Sequence, residues 1–310
     1  MGGARHPIAL PMTRSSFYTP LTLLPTPGRW LLRLAQWTIL RAGRGLGLWR
    51  LVDQAAIVYH NWADCPVVGP DGEPFWIDLR KGGFAYVTTG WCTSEIEPFV
   101  SALPPDAIVL DIGANIGVWT RLLSAHCTAG QVYAFEPSPT TFRRLEKNCG
   151  MRRNVTCVSC ALGAKNGTVQ FSGEEVDPKL RSIQNETAGS GIEVTSRRLD
   201  DWVRDNRITR IDFVKIDVEG FEEDALMPSL EVLERFRPTL CFEFVPEFAA
   251  IRSSYGGTHL IPSLRRLGYH VCRLDKQGRA FADFQANEDW TNDYLASFPM
   301  TTAPEKPETA

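Results

Sequence analysis

VLDIGANIGVWT, Val109–Thr120, decides the architecture. The apolar run Ala107–Gly113 closes on a glycine, and the residues after it have helical spacing through Ile116, Trp119, Leu122 and Leu123. A strand that turns on glycine straight into a helix is the repeating unit of a parallel sheet, and the chain repeats it. QVYAFEP (Gln131–Pro137) is a second strand. Ser138 after it is a good N-cap, Pro139 fits the first helical position, and the helix ends near Asn148 with a C-terminal Gly150. VTCVSCAL (Val155–Leu162) reads as a third strand, extended by a hairpin whose Asn166-Gly167 pair supplies the positive φ angles of a tight turn. IDFVKIDV (Ile211–Val218) is the fourth strand and PTLCFEFV (Pro238–Val245) the fifth, each followed by a helical stretch. A last hairpin is expected between YHVCRLD (Tyr269–Asp275) and AFADF (Ala280–Phe284), around Lys276–Arg279. The alternation predicts an α/β fold, a doubly wound sheet with an antiparallel edge, which binds ligands at the carboxyl ends of its strands.

Composition fits that frame. The chain has 310 residues, 44% hydrophobic and 22% charged, with Gly 25 and Pro 21, which excludes a disordered chain, a collagen and a coiled coil. A net charge of -3 argues against a dedicated nucleic-acid binder, whose phosphate contacts need surplus Lys and Arg. The total hides an asymmetry. Met1–Val52 has no Asp or Glu and seven arginines, leaving the remainder at -10. This gives a basic helical N-terminal extension over 1–70, a catalytic domain over 71–297 and a disordered tail over 298–310. Within the extension, RWLLRLAQWTIL can lie on anionic lipid, a peripheral membrane contact, or pack on the catalytic domain as an accessory helix. Gly43, Gly45 and Gly47 break the helix early and favour the second placement. No apolar stretch is long enough to span a membrane. The eight cysteines are expected to be reduced thiols of a cytoplasmic protein, with Cys157 and Cys160 as small core residues rather than half a zinc site.

The unusual residues sit at strand ends. Gly113 and Gly117 in DIGANIG let the backbone turn sharply and approach a ligand. Asn115 stands where a dinucleotide fingerprint has glycine, and no Walker-type lysine follows, so the loop suits a bulky, weakly charged ligand rather than a polyphosphate. Nineteen positions after Gly117, Glu136 ends the second strand, where its carboxylate can accept from both ribose hydroxyls. In the fourth strand, period two puts Lys215, Asp217 and Glu219 on one side. Lys215 is read as a buried ammonium paired with an acid; Asp217 and Glu219 face the open end, and Glu243 ends the neighbouring strand. Such acids can orient an alcohol and take its proton; the alternative, a divalent cation on the same three, has no distinctive spacing behind it. His259 is a further base candidate, more simply a solvated residue. Arg197 and Arg198, and Glu222, Glu223 and Asp224, read as a solvated face and an acid-favouring helix start. The 173–191 stretch suits a lid or a mobile surface loop, and Phe84 and Trp91 suit sugar stacking or core packing.

These segments, VLDIGANIGVWT, FEPSPTTFRRLEKN, RRLDDWV and above all VKIDVEGFE, resemble the FkbM family of S-adenosylmethionine-dependent methyltransferases. The resemblance covers about residues 75 to 285. It implies the class I methyltransferase fold, a Rossmann-like sheet of seven strands with a reversed last strand, and S-adenosyl-L-methionine as cofactor. It further implies that Asp111, Gly113, Asn115 and Gly117 line the methionine half, that Glu136 holds the ribose, and that Ser138 and Ala161 flank the adenine. Many relatives place a histidine soon after the fifth-strand glutamate, whereas Glu243 is followed by Phe244, Val245 and Pro246. The expected activity is O-methylation of a hydroxyl on a sugar, glycan or secondary metabolite, with Asp217, Glu219 and Glu243 at the acceptor and no metal. A nicotinamide-dependent oxidoreductase on a similar sheet and a non-catalytic, membrane-associated scaffold are the alternatives.

Overall fold

The computed structural model describes residues 64–78, 97–172, 191–275, 280–281 and 290–298. The Arg-rich run, Phe84 and Trp91, the body of the expected lid (173–190), the Lys276–Arg279 turn and the tail from Pro299 lie outside the described residues. The chain divides into two compact units, Met1–Trp91 and Cys92–Ala310; the boundary expected at residue 70 falls inside the first.

In the first unit, β1 (Cys65–Val68) and β2 (Pro74–Ile77) form an antiparallel hairpin with Cys65 opposite Ile77. Cys65, Val67, Phe75 and Ile77 are buried, the period-two pattern of a half-covered ribbon.

The second unit begins with a short helix, α1 (Glu97–Ser101), and then alternates strand and helix. β3 (Ile108–Ile112), α2 (Val118–His126), β4 (Gln131–Phe135), α3 (Pro139–Cys149) and β5 (Val155–Val158) make the first half. α4 (Leu199–Asp205), β9 (Phe213–Ile216), α5 (Glu222–Leu226), a 3-10 turn, α6 (Leu230–Phe236), β10 (Thr239–Glu243), α7 (Pro246–Arg252), α8 (Leu260–Arg266) and β11 (His270–Asp275) follow. Among the described residues the main sheet has the order β12-β11-β13-β10-β9-β3-β4-β5, where β12 is only Ala280–Phe281 and β13 is Trp290–Ser297. Leaving out the two-residue β12, this is a seven-stranded sheet, parallel from β5 to β10. β13 is wedged antiparallel between β10 and β11. The expected last hairpin is therefore a minor part of that edge. β11 pairs with AFADF at two residues only, and its longer partner is WTNDYLAS.

A second departure lies at VTCVSCAL. The chain leaves the sheet after Val158 and re-enters pairing at β6 (Ala161–Leu162), in a separate three-stranded sheet with β7 (Gly167–Ser172) and β8 (Gly191–Arg197). Cys157 and Cys160 thus belong to different structures, and both are free thiols.

Two packed layers flank the central strands. Leu110, Ile112, Val214, Ile216, Leu240 and Phe242 face one layer with Trp202, while Val109, Phe213 and Cys241 face the other with Leu123. Trp202 meets the rings of Tyr133 and Phe135 edge-on at 5.0 and 4.8 Å; truncating so large a buried side chain costs about 3–5 kcal/mol. α3 starts as expected. Ser138 is its N-cap, accepting from the Thr141 amide at 3.4 Å, with Pro139 first in the helix. No described helix is long and apolar enough to cross a membrane.

Candidate active site

A cleft partly open to solvent lies at the carboxyl ends of β3, β4 and β9. β3 stops at Ile112 because Gly113 (φ +79) and Asn115 (φ +51) reverse the backbone in the left-handed region, and Gly117 (φ +95) then caps α2. A Cβ on Gly113 would stand 1.9 Å from the Asp217 carbonyl oxygen, so glycine lets the ends of β3 and β9 close against each other. At Gly117 a Cβ would meet Cys149 Sγ at 2.5 Å. That glycine serves the approach of α2 to α3 rather than the approach of a ligand.

Glu136 is the best-defined side chain in the cleft. It is 7% exposed; its Oε2 accepts from the Asn115 amide at 3.0 Å and its Oε1 from the Ser138 amide at 2.9 Å. Two backbone donors fix its direction. Beside it, Phe135, Cys160, Ala161, Leu162 and Phe171 supply an apolar wall. The opposite lip is acidic and carries Asp217, Val218 and Glu219. Glu219 sits at φ +55 without being a glycine, a conformation that costs about 1–3 kcal/mol and concentrates at functional sites.

Of the residues expected here, Gly113, Asn115, Glu136, Ala161, Asp217 and Glu219 line the one cleft. Asp111, Gly117, Ser138 and Glu243 are not on its surface. Asp111 is fully buried behind the β3 end, with Oδ2 accepting from Thr120 at 2.6 Å and Oδ1 without a partner among the described residues. Burial raises its pKa, and Asp217 adds to this against the opposing pull of Lys215 and Thr120. Lys215, in register with Asp111 on the next strand, reaches Asp217 Oδ2 at 3.1 Å. Burial opposes its charge, but Asp217 and Asp111 outweigh that and hold the ammonium above its ordinary range. Lys215 is thus a buried, paired cation, as its place in the strand predicts.

Glu243 ends β10 opposite Asp293 of β13. Burial, with the repulsion of Asp217, Asp293 and Glu219 only partly relieved by Lys215, lifts its carboxyl to about 8. Among the described residues no grouping of His, Cys, Asp and Glu is arranged to hold a metal ion. His259 is exposed, its Nδ1 2.8 Å from the Tyr255 carbonyl.

The acids after the fourth strand open α5, the helix start expected for them, and they are buried there. Glu222, Glu223 and Asp224 are 1%, 0% and 7% exposed. Glu222 Oε1 accepts from the Gly220 amide at 3.0 Å and the Val218 amide at 3.3 Å, and burial lifts its carboxyl to about 7. Glu223 accepts from Ser253 Oγ and from the amides of Gly257, His259 and Leu260. Sequence reasoning missed the roles of Glu223 and Asp224 because their partners lie about thirty residues further on, and that of Glu222 because it turns back onto the amides of the preceding loop. The only local signal is three adjacent acids at the start of an otherwise apolar helix.

A parallel sheet in this strand order, with its reversed strand beside the edge and a ribose-sized acidic and apolar cleft at the switch point, defines a Rossmann-like class I methyltransferase architecture. The chain belongs to the methyltransferase FkbM domain family, whose model matches residues 111–271. It is 30% identical over 149 residues to 2-O-methyltransferase NoeI of Sinorhizobium fredii, which covers 43% of this chain and 61% of that one. It is 27% identical over 129 residues to hexuronic acid methyltransferase AglP of Haloferax volcanii, covering 42% and 52%. A further relative is 31-O-demethyl-FK506 methyltransferase FkbM of Streptomyces tacrolimicus, 27% identical over 157 residues, covering 40% and 60%. The chain thus spans less than two thirds of the length of each of these relatives. Among solved structures, methyltransferase FkbM from Methylobacillus flagellatus superposes with a TM-score of 0.44 at 16% identity, over 70% of this chain and 53% of that one.

Proposed function

We propose that this protein is an S-adenosylmethionine-dependent O-methyltransferase whose acceptor is a hydroxyl of a sugar, glycan or secondary metabolite. The observation that carries the reading is Glu136, aimed by the Asn115 and Ser138 amides into the cleft whose far lip holds Asp217 and Glu219. The donor set suits this cofactor. Glu136 would take the ribose hydroxyls, the wall of Ala161, Leu162 and Phe171 the adenine, and the Gly113–Asn115 turn the amino-acid end. The acidic lip favours a cationic sulfonium, and among the described residues no lysine or arginine lines the cleft to meet a polyphosphate. When bound, the cofactor supplies an electrophilic methyl group.

The protein's task is then to hold the acceptor oxygen in line and receive its proton. Asp217 is tied to Lys215, which fixes its free oxygen as an acceptor for the incoming hydroxyl. Glu219 shares the lip and orients the same group. In this scheme the proton goes to Asp217 or Glu219, which line the cleft, while Glu243, off its surface, is held largely protonated below about pH 8 by burial and its acidic neighbours and supports the lip from behind. The relatives, a 2-O-methyltransferase and a hexuronic acid methyltransferase among them, support an oxygen acceptor on a sugar.

Calorimetry with S-adenosylmethionine and with a nicotinamide dinucleotide tests the cofactor. Tritiated methyl transfer to a panel of hexoses, hexuronic acids and polyketide alcohols tests the acceptor. Binding of the nicotinamide dinucleotide alone would overturn the reading; binding of S-adenosylmethionine with no transfer to any oxygen acceptor would leave the scaffold alternative.

A further inference from the structure

The acidic lip is a turn that does not hold itself. After Asp217, whose amide still donates to the Ile112 carbonyl at 3.0 Å, Glu219 and Gly220 adopt consecutive positive φ angles of 55 and 98. Three backbone groups of this turn are met by two side chains from outside the cleft. Glu222 takes the amides of Val218 and Gly220, and the guanidinium of Arg252 donates to the Glu219 carbonyl. Arg252 is the last residue of α7 and lies over the Phe248 ring, 4.8 Å from its centroid, which fixes its direction. Only a glycine fits at 220: an added Cβ would be 3.1 Å from Arg252 Cδ and from Phe248 backbone and side-chain carbons.

We propose that Arg252 and Glu222 are positioning residues that clamp the Asp217–Gly220 turn from two sides, so that the carboxylates of Asp217 and Glu219 meet the acceptor hydroxyl at fixed directions. The assignment to an acceptor rests on the methyltransferase reading; the clamp itself is a property of the fold. α7 follows β10 directly, so the clamp also joins the turn after β9 to the element that carries Glu243.

The test is hydrogen exchange by mass spectrometry on the full chain, with calorimetry against S-adenosylmethionine and, on the acceptor found in the sugar panel, steady-state kinetics. Arg252→Ala is expected to speed exchange across Val218–Gly220 by about tenfold while β3 and β4 amides keep their rates. Its kcat should fall about tenfold or more with the affinity for S-adenosylmethionine within about twofold of wild type, because Glu136 is untouched. Arg252→Lys, which keeps a cationic donor, should restore most of both. Glu222→Gln, which keeps an oxygen for the two amides, should exchange like wild type. The clamp is refuted if Arg252→Ala leaves exchange at the turn within about twofold of wild type, or if Arg252→Lys is as impaired as alanine. A wild-type protein that binds no S-adenosylmethionine would sink the functional reading alone, and the exchange result would still decide the clamp.

Discussion

Replacing Glu136 by Gln isolates what the carboxylate contributes. Both its oxygens accept from backbone amides, Asn115 at 3.0 Å and Ser138 at 2.9 Å. Glutamine has one acceptor oxygen. Whichever way its amide is turned, an NH2 group faces a backbone N–H, and one buried donor loses its partner at a cost of about 1–3 kcal/mol. In a unit as large as Cys92–Ala310 each kcal/mol lowers the melting temperature by about 2–4 °C, so a fall of about 2–12 °C is expected. The same change removes one charge-assisted hydrogen bond to a ribose hydroxyl, worth about 1.5–3 kcal/mol, which predicts a Kd for S-adenosylmethionine weakened about 10- to 150-fold. Scanning calorimetry reads the first effect and titration calorimetry the second. Adenosine compared with 2′,3′-dideoxyadenosine adds a control, since wild type should prefer the hydroxylated nucleoside and the variant should not. A variant that melts lower yet binds the cofactor within about twofold of wild type would show that Glu136 merely ties two loops together.

Asp217→Asn keeps the shape of the lip but loses the charge that pairs with Lys215; it should spare cofactor affinity and lower kcat, and equal losses of affinity here and at Glu136 would contradict the division of roles. Gly113→Ala forces a Cβ to within 1.9 Å of the Asp217 carbonyl oxygen and adds a left-handed alanine, so urea denaturation should show a loss of about 3 kcal/mol or more. Glu243 ionises with a folded-state pKa of about 8 against 4.5. A raised carboxyl pKa contributes stability that is present below about pH 4.5 and is lost as pH rises through about 8. Glu243→Gln should therefore flatten the decline in melting temperature across that window, and a variant that follows the wild-type curve would refute the shift.

The sequence carried the parallel core well because each strand there is a short apolar run closed by a residue that cannot continue it. Gly113 and the Glu136-Pro137 pair are such stops, and Lys215 was legible because an ammonium in a buried strand has to be paired. The edges were harder. Trp290–Ser297 mixes Asn292 and Asp293 with Tyr294 and Ala296, an alternation that marks a strand only once β10 and β11 are known to flank it. At Val155–Leu162 a run with the small, β-favouring composition of one strand conceals a change of sheet, since Ser159 and Cys160 offer no glycine or proline to mark the break. In the site, residues at strand ends could be read from their position, whereas Glu223 and Arg252 act through backbone groups about thirty residues away and Glu222 folds back onto the amides of the turn before it, and no residue pattern announces either.

Glu223 shows what such a side chain imposes on the chain as a modular object. A single carboxylate gathers one hydroxyl and three amides spread from Ser253 to Leu260. That stretch and the start of α5 are one inheritable cassette, although about thirty residues separate them. Anyone transplanting the α7–α8 connection onto another member of the family would have to bring this glutamate with it, and a library that diversifies the connection while keeping Glu223 and its donors should retain more folded members than one that varies both.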